Sequence, residues 1–178
     1  MRKKLIIFDR DNTLNYDKYG YTHNKSACIL FDDVYEFFSS IDTLINICVV
    51  TNQSGIGRGY FSVKEMQDFN SEINKLIKQN TNHRGIDHFF FCPHVPLDNC
   101  DCRKPKNLLV KKALSYFNCL PNEAILIGDK ISDCQAGLSA GVISILLNRN
   151  LENFQTYENS KIIVHNSLNI KSLKKYLY

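Results

Sequence analysis

The sequence contains little glycine and proline and has no long apolar run. With 8 Gly and 4 Pro in 178 residues, it has too few of either for a collagen-like or a low-complexity disordered chain. No apolar run approaches the roughly 20 residues of a membrane span. The apolar run after the basic N-terminus stops after four residues, whereas the apolar region of a secretory signal needs roughly 7–15. We therefore expect a cytoplasmic chain with no membrane partner.

A large excess of positive charge is missing as well. The 22 basic and 18 acidic side chains give a formal net charge of +4. The isoelectric point near 8.6 lies below the roughly 9 expected of a nucleic-acid-binding domain, so we predict no nucleic-acid partner. A Walker A lysine and a G-x-S-x-G elbow are absent, and residues 55–59 follow G-x-G-x-G, which is not the spacing of a dinucleotide-binding loop.

Short continuous apolar runs alternate along the chain with amphipathic stretches. Such runs, when they contain β-branched residues, are typical of strands buried on both faces, as in parallel sheets. The predicted strands cover residues 4–8, 46–51, 88–91, 124–128, 142–147 and 161–164. Because helical patterns lie between them, the sequence predicts an α/β fold with a doubly wound, mostly parallel sheet. We expect a single domain over residues 1–178.

The helical patterns carry recognisable start signals. The first helix is predicted over residues 34–44, with Asp33 and Glu36 as a capping box. The second follows the S-x-x-E signal of Ser62 and Glu65 and has an apolar stripe that reaches residue 77. The remaining predicted helices cover residues 108–117 and 133–140, and the chain is expected to close with an edge strand and a helix around residues 170–177.

Polar clusters follow three of the predicted strands directly. They are Asp9-Arg10-Asp11, Thr51-Asn52-Gln53-Ser54 and Gly128-Asp129-Lys130. In a doubly wound sheet, ligands bind outside the carboxyl ends of the strands. If the strands are parallel, all three clusters meet at one edge of the sheet, and we predict the functional site there.

The side chains of these clusters suit phosphate chemistry. Asp9 and Asp11 lie two residues apart at a strand end, so one carboxylate can act as nucleophile while the other transfers a proton. Asp129 can complete a magnesium site, because Mg²⁺ favours a few carboxylates with water and substrate phosphate. The Thr51 hydroxyl and the ammonium of Lys104 or Lys130 could neutralise phosphoryl oxygens. The alternative is that Asp9 and Asp11 only form a turn and that Asp129 caps a helix.

The chain has an odd number of cysteines, 7, and three of them lie within eleven residues. The candidate ligands are Cys92, His94, Cys100 and Cys102. Three thiolates and an imidazole form a tetrahedral structural zinc site with no open position for catalysis. The alternatives are unconnected surface thiols or a zinc module that binds nucleic acid. No role is predicted for Cys28, Cys48, Cys119 and Cys134.

Four motifs occur together in the order and spacing of one family. They are Asp9-x-Asp11-x-Thr13-Leu14, Thr51-Asn52-Gln53-Ser54-Gly55, Arg103-Lys104-Pro105-Lys106 and Gly128-Asp129-Lys130-x-x-Asp133. Over residues 4–147 the chain resembles the haloacid-dehalogenase superfamily, and within it the branch of heptose-1,7-bisphosphate and histidinol phosphatases. The resemblance implies a Rossmann-like core without a cap domain and with a zinc-bearing loop. Asn12 stands where the family usually has Gly, and Asn tolerates the positive φ that such a position requires.

The resemblance also implies roles for the motif residues. Asp9 would attack the phosphorus and form an aspartyl-phosphate, and Asp11 would protonate the leaving alkoxide and then deprotonate the hydrolytic water. Mg²⁺ would bind the Asp9 and Asp129 carboxylates and the Asp11 backbone carbonyl. Thr51 and Lys104 would stabilise the transferring phosphoryl group. The implied substrate-binding residues are Asp17, Tyr21, Asn52, Gln53, Ser54, Arg103 and Lys130.

The implied substrate is a small phosphorylated sugar or amino alcohol. Residues 51–59 and Gly20-Tyr21-x-His23 look like the heptose bisphosphatases, whereas the five-residue spacer before Cys100 looks like the histidinol-phosphatases. We expect hydrolysis of the 7-phosphate of D-glycero-D-manno-heptose 1,7-bisphosphate, with histidinol phosphate as the alternative substrate. A catalytically inactive scaffold is a further alternative. The expected cofactors are Mg²⁺ and Zn²⁺, and the chain is expected to be a monomer.

Overall fold

The computed structural model describes residues 3–149 and 162–178, and these form a parallel sheet covered by helices. The strands are β1 (Leu5–Phe8), β2 (Asn46–Asn52), β3 (His88–Cys92), β4 (Ala124–Gly128), β5 (Ile143–Leu147) and β6 (Ile162–His165). Their order across the sheet is β3-β2-β1-β4-β5-β6, and every pairing is parallel. The doubly wound prediction is confirmed. Because the strand order reverses between β1 and β4, their carboxyl ends border the crevice where such sheets bind ligands.

Helices cover both faces of the sheet. They are α1 (Asp32–Ser40), α2 (Ser54–Gly57), α3 (Val63–Asn80), α4 (Leu108–Tyr116), α5 (Ile131–Ser139) and α6 (Ile170–Leu177). The side chains of β1 show why continuous apolar runs predict such strands. Ile6 and Phe8 join the core under α1, α3 and α6, whereas Leu5 and Ile7 join the core under α4 and α5. Both faces of the strand must therefore be apolar.

The first helix differs from its prediction at both ends. It begins at Asp32 after Phe31, and no side chain caps it, so the predicted capping box of Asp33 and Glu36 is wrong. The Asp33 carboxylate instead accepts bonds from the Arg149 guanidinium, at 2.6 and 2.8 Å, and from the Leu168 backbone N–H at 2.9 Å. This long-range pairing competes successfully with a local cap.

The end of the first helix also corrects the apolar pattern. The helix ends at Ser40, and Leu44 lies beyond it with 78% of its surface exposed. The prediction that Leu44 belongs to the buried face is therefore wrong.

The capping box predicted for α3 is confirmed. Ser62 Oγ accepts from the Glu65 N–H at 3.2 Å, and Glu65 Oε2 accepts from the Ser62 N–H at 2.7 Å.

The last part of the chain follows the predicted pattern. Strand β6 lies at the edge of the sheet beside β5, and Lys161, the first residue of the predicted strand, lies outside the described residues. Helix α6 buries Leu173 and Leu177 completely. Its start is capped by Asn169 Oδ1, which accepts from the Lys171 N–H at 2.9 Å.

The chain between β1 and α1 forms loops around one short 3₁₀ helix, Lys25–Ala27. No cap domain therefore follows β1, as predicted.

Within residues 3–149 and 162–178, no helix has both the length and the apolar character needed to cross a membrane.

Candidate active site

A cavity of about 480 Å³ opens at the carboxyl ends of β1, β2 and β4. It is lined by every residue predicted to be catalytic or substrate-binding: Asp9, Asp11, Asp17, Tyr21, Thr51, Asn52, Gln53, Ser54, Arg103, Lys104 and Lys130. Gly20, Ser132 and Asp133 also line it. The convergence follows from the parallel sheet, since strands that run in the same direction end at the same edge.

A buried ammonium lies at the centre of the site, between two carboxylates. Lys104 Nζ lies 2.6 Å from Asp9 Oδ1 and 2.7 Å from Asp133 Oδ1, and it donates to the Val50 carbonyl at 2.7 Å. Burial acts against both charges, but the Lys104 ammonium still holds the pKa of Asp9 below its ordinary value. The carboxylates of Asp133 and Asp9 likewise hold the pKa of Lys104 above its usual value despite burial. Asp9 is therefore ionised and oriented.

Three carboxylates come together beside this lysine. Oxygens of Asp9, Asp129 and Asp133 lie within 4.8 Å of one another. Burial, with the charges of Asp9 and Asp133, raises the pKa of Asp129 to about 8. Thr13 Oγ1 donates to Asp129 Oδ1 at 3.4 Å. The three carboxylates carry more negative charge than the ammonium beside them can neutralise. Carboxylate oxygens are the ligands that a hard divalent cation prefers, so these residues fit magnesium.

The Asp11 side chain accepts from a set of donors that does not include Lys104. Gln53 Nε2 donates to Asp11 Oδ2 at 2.8 Å, and Asn15 Nδ2 donates to Asp11 Oδ1 at 3.1 Å. Burial raises the pKa of Asp11, and the charges of Asp9 and Asp17 act in the same direction against the neighbouring Arg10. A carboxyl group with a raised pKa is suited to carry a proton.

Side chains at the end of β2 and directly after it form hydrogen bonds across the cavity. Gln53 Nε2 also donates to Thr51 Oγ1 at 2.9 Å, so one amide links Thr51 to Asp11. Asn52 exchanges two bonds with the Lys104 backbone, each 3.1 Å long. In the structure, therefore, the Asn52 amide holds the segment that carries Lys104.

In the loop that follows β1, Asn12 has the positive φ that was expected at its position. Asn12 adopts a φ of 60°, as predicted, and its Oδ1 accepts from the Asp17 N–H at 3.0 Å. Asp17 Oδ1 in turn accepts from the Thr22 N–H at 3.0 Å and from the Thr22 hydroxyl. Tyr21 has a φ of 62° and lies edge-on to Tyr60, with ring centroids 5.0 Å apart. Tyr21 lines the cavity, and Tyr60 supports its ring from outside the lining.

The four predicted zinc ligands also lie together. Ligand atoms of Cys92, His94, Cys100 and Cys102 fall within 4.8 Å of one another, and Cys100 Sγ is 3.5 Å from each of the other two sulfurs. A tetrahedral site with Zn–S of about 2.3 Å separates sulfurs by about 3.7 Å. Burial raises the pKa of Cys92 to about 12, whereas hydrogen bonds from Cys102 and Cys92 outweigh burial at Cys100 and lower its pKa to about 7. The donor set and spacing fit zinc.

The cysteine loop lies against the catalytic cavity. Its Cys92 carbonyl accepts from the Gln53 N–H at 2.7 Å, and its Pro93 carbonyl accepts from the Gly57 N–H at 2.9 Å. A Cβ on Gly57 would lie 2.8 Å from that Pro93 oxygen, so glycine is required at this approach. Arg103, directly after Cys102, donates to the His94 carbonyl at 3.4 Å.

Sequence reasoning missed two residues of the site. Asp133 belongs to the motif after β4, but the sequence pattern assigns it no role. In the structure it pairs with Lys104, and its Oδ2 accepts from the Lys130 N–H at 2.9 Å. Arg10 stood between the two catalytic candidates and was likewise given no role, although it is fully buried beside Asp11. The motif spacing contained the signal for Asp133, and a charged residue inside the Asp9–Asp11 cluster was the signal for Arg10.

Comparison with known proteins agrees with this geometry. A family model described as haloacid dehalogenase-like hydrolase matches residues 69–147. Together with the relatives described next, which are 34–35% identical over 75–81% of this chain, this match shows that the chain belongs to the haloacid dehalogenase-like hydrolases, and within them it is a phosphatase.

Two relatives are named D-glycero-beta-D-manno-heptose-1,7-bisphosphate 7-phosphatase. The one from Helicobacter pylori is 34% identical over 145 residues, covering 81% of this chain and 83% of the relative. The one from Neisseria meningitidis is 35% identical over 136 residues, covering 75% and 71%. The crystal structure of D,D-heptose 1,7-bisphosphate phosphatase from B. bronchiseptica, complexed with magnesium and phosphate, matches with a TM-score of 0.85 and 25% identity over 97% of both chains.

Gly128→Ala should disturb the site by displacing Asp133. A Cβ at residue 128 would lie 2.5 Å from Asp133 Cβ and 2.6 Å from its Cγ, so Asp133, which pairs with Lys104 at 2.7 Å, must shift. We expect activity to fall on the order of 10²-fold, because small misplacements of catalytic groups have effects of this size. Phosphate release by a variant with a native circular dichroism spectrum measures this loss. Unchanged activity would mean that the Asp133–Lys104 contact does not matter.

Proposed function

We propose that this enzyme is a magnesium-dependent phosphatase that removes the 7-phosphate of D-glycero-D-manno-heptose 1,7-bisphosphate. The observation that carries the proposal is the Asp9 carboxylate, held 2.6 Å from buried Lys104 in a cavity that Asp11 also lines. The names of the relatives support the sugar. The cavity volume of about 480 Å³ supports a small substrate, because sites for small molecules are typically of about this size.

In the first step, Asp9 acts as the nucleophile. One of its carboxylate oxygens attacks the phosphorus, the bond from phosphorus to the sugar oxygen breaks, and an aspartyl-phosphate forms. Asp11 gives its proton to the leaving alkoxide, which departs as an alcohol. Lys104 and the Thr51 hydroxyl face the negative phosphoryl oxygens, so they stabilise charge that is spread over them in the transition state.

In the second step, Asp11 has the opposite role. Now ionised, it takes a proton from a water molecule whose oxygen attacks the phosphorus, and the bond between phosphorus and the Asp9 oxygen breaks. Inorganic phosphate leaves, Asp9 is a carboxylate again, and Asp11 again carries its proton. Asp9 and Asp129, with the backbone carbonyl of Asp11 and the neighbouring Asp133, would hold Mg²⁺. When bound, the cation neutralises charge on the phosphoryl oxygens.

The remaining lining residues select the substrate. Asp17 and Tyr21 lie on one side of the mouth, with Tyr60 packed against Tyr21. Arg103 and Lys130 supply positive charge near the cavity, which suits a second phosphate on the substrate. Asn52, Gln53 and Ser54 complete the substrate-binding set.

The substrate assignment is tested by a direct comparison. We would measure kcat/KM for D-glycero-D-manno-heptose 1,7-bisphosphate and for histidinol phosphate, with phosphate release as the readout. The proposal expects the heptose bisphosphate to be preferred and its 7-phosphate to be lost. A preference for histidinol phosphate of tenfold or more would overturn the choice of substrate and leave the phosphatase chemistry intact.

Zinc is proposed as a structural ion of the cysteine loop. We expect protein purified without chelator to contain stoichiometric zinc, and Cys102→Ser to lose it. Because Arg103 and Lys104 follow Cys102 directly, the loss should lower kcat/KM by about 10–100-fold, the usual size of effects on metal-site support. Elemental analysis with phosphate release measures both quantities.

The control for the zinc prediction is Cys28→Ser, which changes a half-buried thiol outside the cluster. It should keep its zinc and its activity. Wild-type protein without zinc, or a zinc-free Cys102→Ser variant with full activity, would contradict the proposal.

We further propose that residues 1–178 act as one domain, as a monomer, in the cytoplasm. None of the seven cysteines, all of which lie in the described residues, is in a disulfide, which supports a reducing compartment. Light scattering on purified protein and cell fractionation would test these points. A stable dimer, or activity in the periplasmic or secreted fraction, would contradict them.

A further inference from the structure

Arg10 is a fully buried cation that the proposed chemistry leaves without a role. It directly follows Asp9 at the end of β1, and none of its surface is exposed. Burial of an unpaired guanidinium is strongly unfavourable, so a chain retains one only with a complete set of partners. The partners that Arg10 has in this fold therefore indicate what it does.

Two of its nitrogens form a fork on Asp11. Nε donates to Asp11 Oδ1 and Nη2 donates to Asp11 Oδ2, each at 3.0 Å. With Gln53 at 2.8 Å and Asn15 at 3.1 Å, both Asp11 oxygens are held by at least two donors. A carboxylate bound in this way cannot rotate freely about its last torsion.

The opposite side of the guanidinium is anchored to two other parts of the fold. Nη1 donates to Asn70 Oδ1 on α3 at 3.2 Å, and the guanidinium carbon lies 4.8 Å from the centre of the Phe69 ring. Nη2 also donates to the Thr22 carbonyl at 3.0 Å, in the loop that carries Asp17 and Tyr21. The planar group is thus fixed by α3 on one side and by the substrate loop on another.

We propose that Arg10 is a positioning residue that holds Asp11 in the orientation for proton transfer and ties it to the loop of Asp17 and Tyr21. The inference rests on the proposed function, since it assumes that Asp11 is the proton donor and acceptor. Lysine could keep the charge but not the two parallel bonds, because an ammonium is a point charge without a planar fork. Arg10→Lys therefore isolates the geometry from the charge.

The test uses two substrates with different leaving groups. A sugar alkoxide must be protonated as it leaves, whereas p-nitrophenolate leaves without a proton. Arg10→Lys should lower kcat/KM for the sugar phosphate on the order of 10²-fold, the contribution of a general acid, and change kcat/KM for p-nitrophenyl phosphate by less than about threefold. Because Asp11 also activates water, the variant should release a burst of nitrophenol and then turn over slowly.

Asn70→Ala provides a second variant if Arg10→Lys does not fold. It removes the anchor on α3, and neither Asn70 nor its described side-chain hydrogen-bond partners, Arg10 and Met66, line the cavity. We expect a smaller selective loss, about tenfold, on the sugar phosphate. The matched control is Ser71→Ala, the next residue of α3, which bonds only to the Gln67 carbonyl among the contacts described and should leave both substrates unaffected.

The possible outcomes separate the two claims. Equal losses on both substrates without a burst, in variants of normal fold, would make Arg10 a structural residue and overturn this inference. Asp11→Asn serves as the reference, because it should show the same selective loss in a stronger form. If Asp11→Asn shows no dependence on the leaving group, the proposed role of Asp11 is wrong and the inference fails with it.

Discussion

Asp9→Asn is expected to lower kcat on the order of 10⁵-fold, since removal of a nucleophile has effects of about this size or larger. An amide oxygen cannot form the aspartyl-phosphate, and no other carboxylate takes its place, because Asp133 is held by Lys104 and by the Lys130 N–H. The fold should remain, as Lys104 keeps its bonds to Asp133 and to the Val50 carbonyl. Phosphate release under saturating substrate measures the loss.

The control for this prediction is Asp32→Asn. Asp32 is an exposed carboxylate in the first turn of α1, and its replacement should leave kcat unchanged. An Asp9→Asn variant with more than a few per cent of the wild-type kcat would show that the nucleophile is another group. Thermal melting of both variants would show whether a loss reflects chemistry or unfolding.

Lys104→Met should lower both activity and stability. The replacement leaves Asp9, Asp129 and Asp133 grouped within 4.8 Å of one another without the ammonium that pairs with Asp9 and Asp133. Removal of one partner from a buried ion pair costs about 3–5 kcal/mol in the free energy of unfolding. Loss of a donor to the transition state lowers kcat by about 10²–10³-fold. Denaturant titration and phosphate release measure the two effects.

A matched lysine-to-methionine change at an exposed position tests whether the loss of stability in Lys104→Met comes from the missing charge. Lys106→Met, two residues along, removes an exposed ammonium that pairs with Asp101 at 3.2 Å, and such surface pairs contribute about 0–1 kcal/mol. Added magnesium should restore much of the stability of Lys104→Met, since a cation can replace the missing charge. A variant that stays as stable as the wild type without magnesium would contradict this electrostatic account.

The sheet could be predicted because its physical cause is local. Each central strand must be apolar on both faces, and Leu5 to Phe8 show this directly, with two side chains in each of the two cores. The same pattern identifies β4, where all five residues are buried. Once the strands are parallel, the meeting of Asp9, Thr51 and Asp129 at one edge follows from topology.

The errors arose where distant parts of the chain decide the local structure. Asp33 had the spacing of a cap, but it binds Arg149, which is distant in sequence. Leu44 continued an apolar stripe, but the helix had already ended at Ser40. The pairing of Asp133 with Lys104 likewise depends on how α5 packs behind β4, with Gly128 leaving room for it. Motif spacing marks Asp133 as a site residue, but no spacing rule gives its pairing with Lys104 or the pairing of Asp33 with Arg149.

The central claim is that the reaction passes through a phosphate ester on Asp9. The most direct measurement is to mix the enzyme with heptose 1,7-bisphosphate and magnesium, quench it, reduce the trapped acyl phosphate with borohydride, and map the peptides by mass spectrometry. The account predicts conversion of Asp9, and of no other residue, to homoserine, with none in Asp9→Asn. Release of phosphate with no modification at Asp9, or with modification at a different residue, would contradict it.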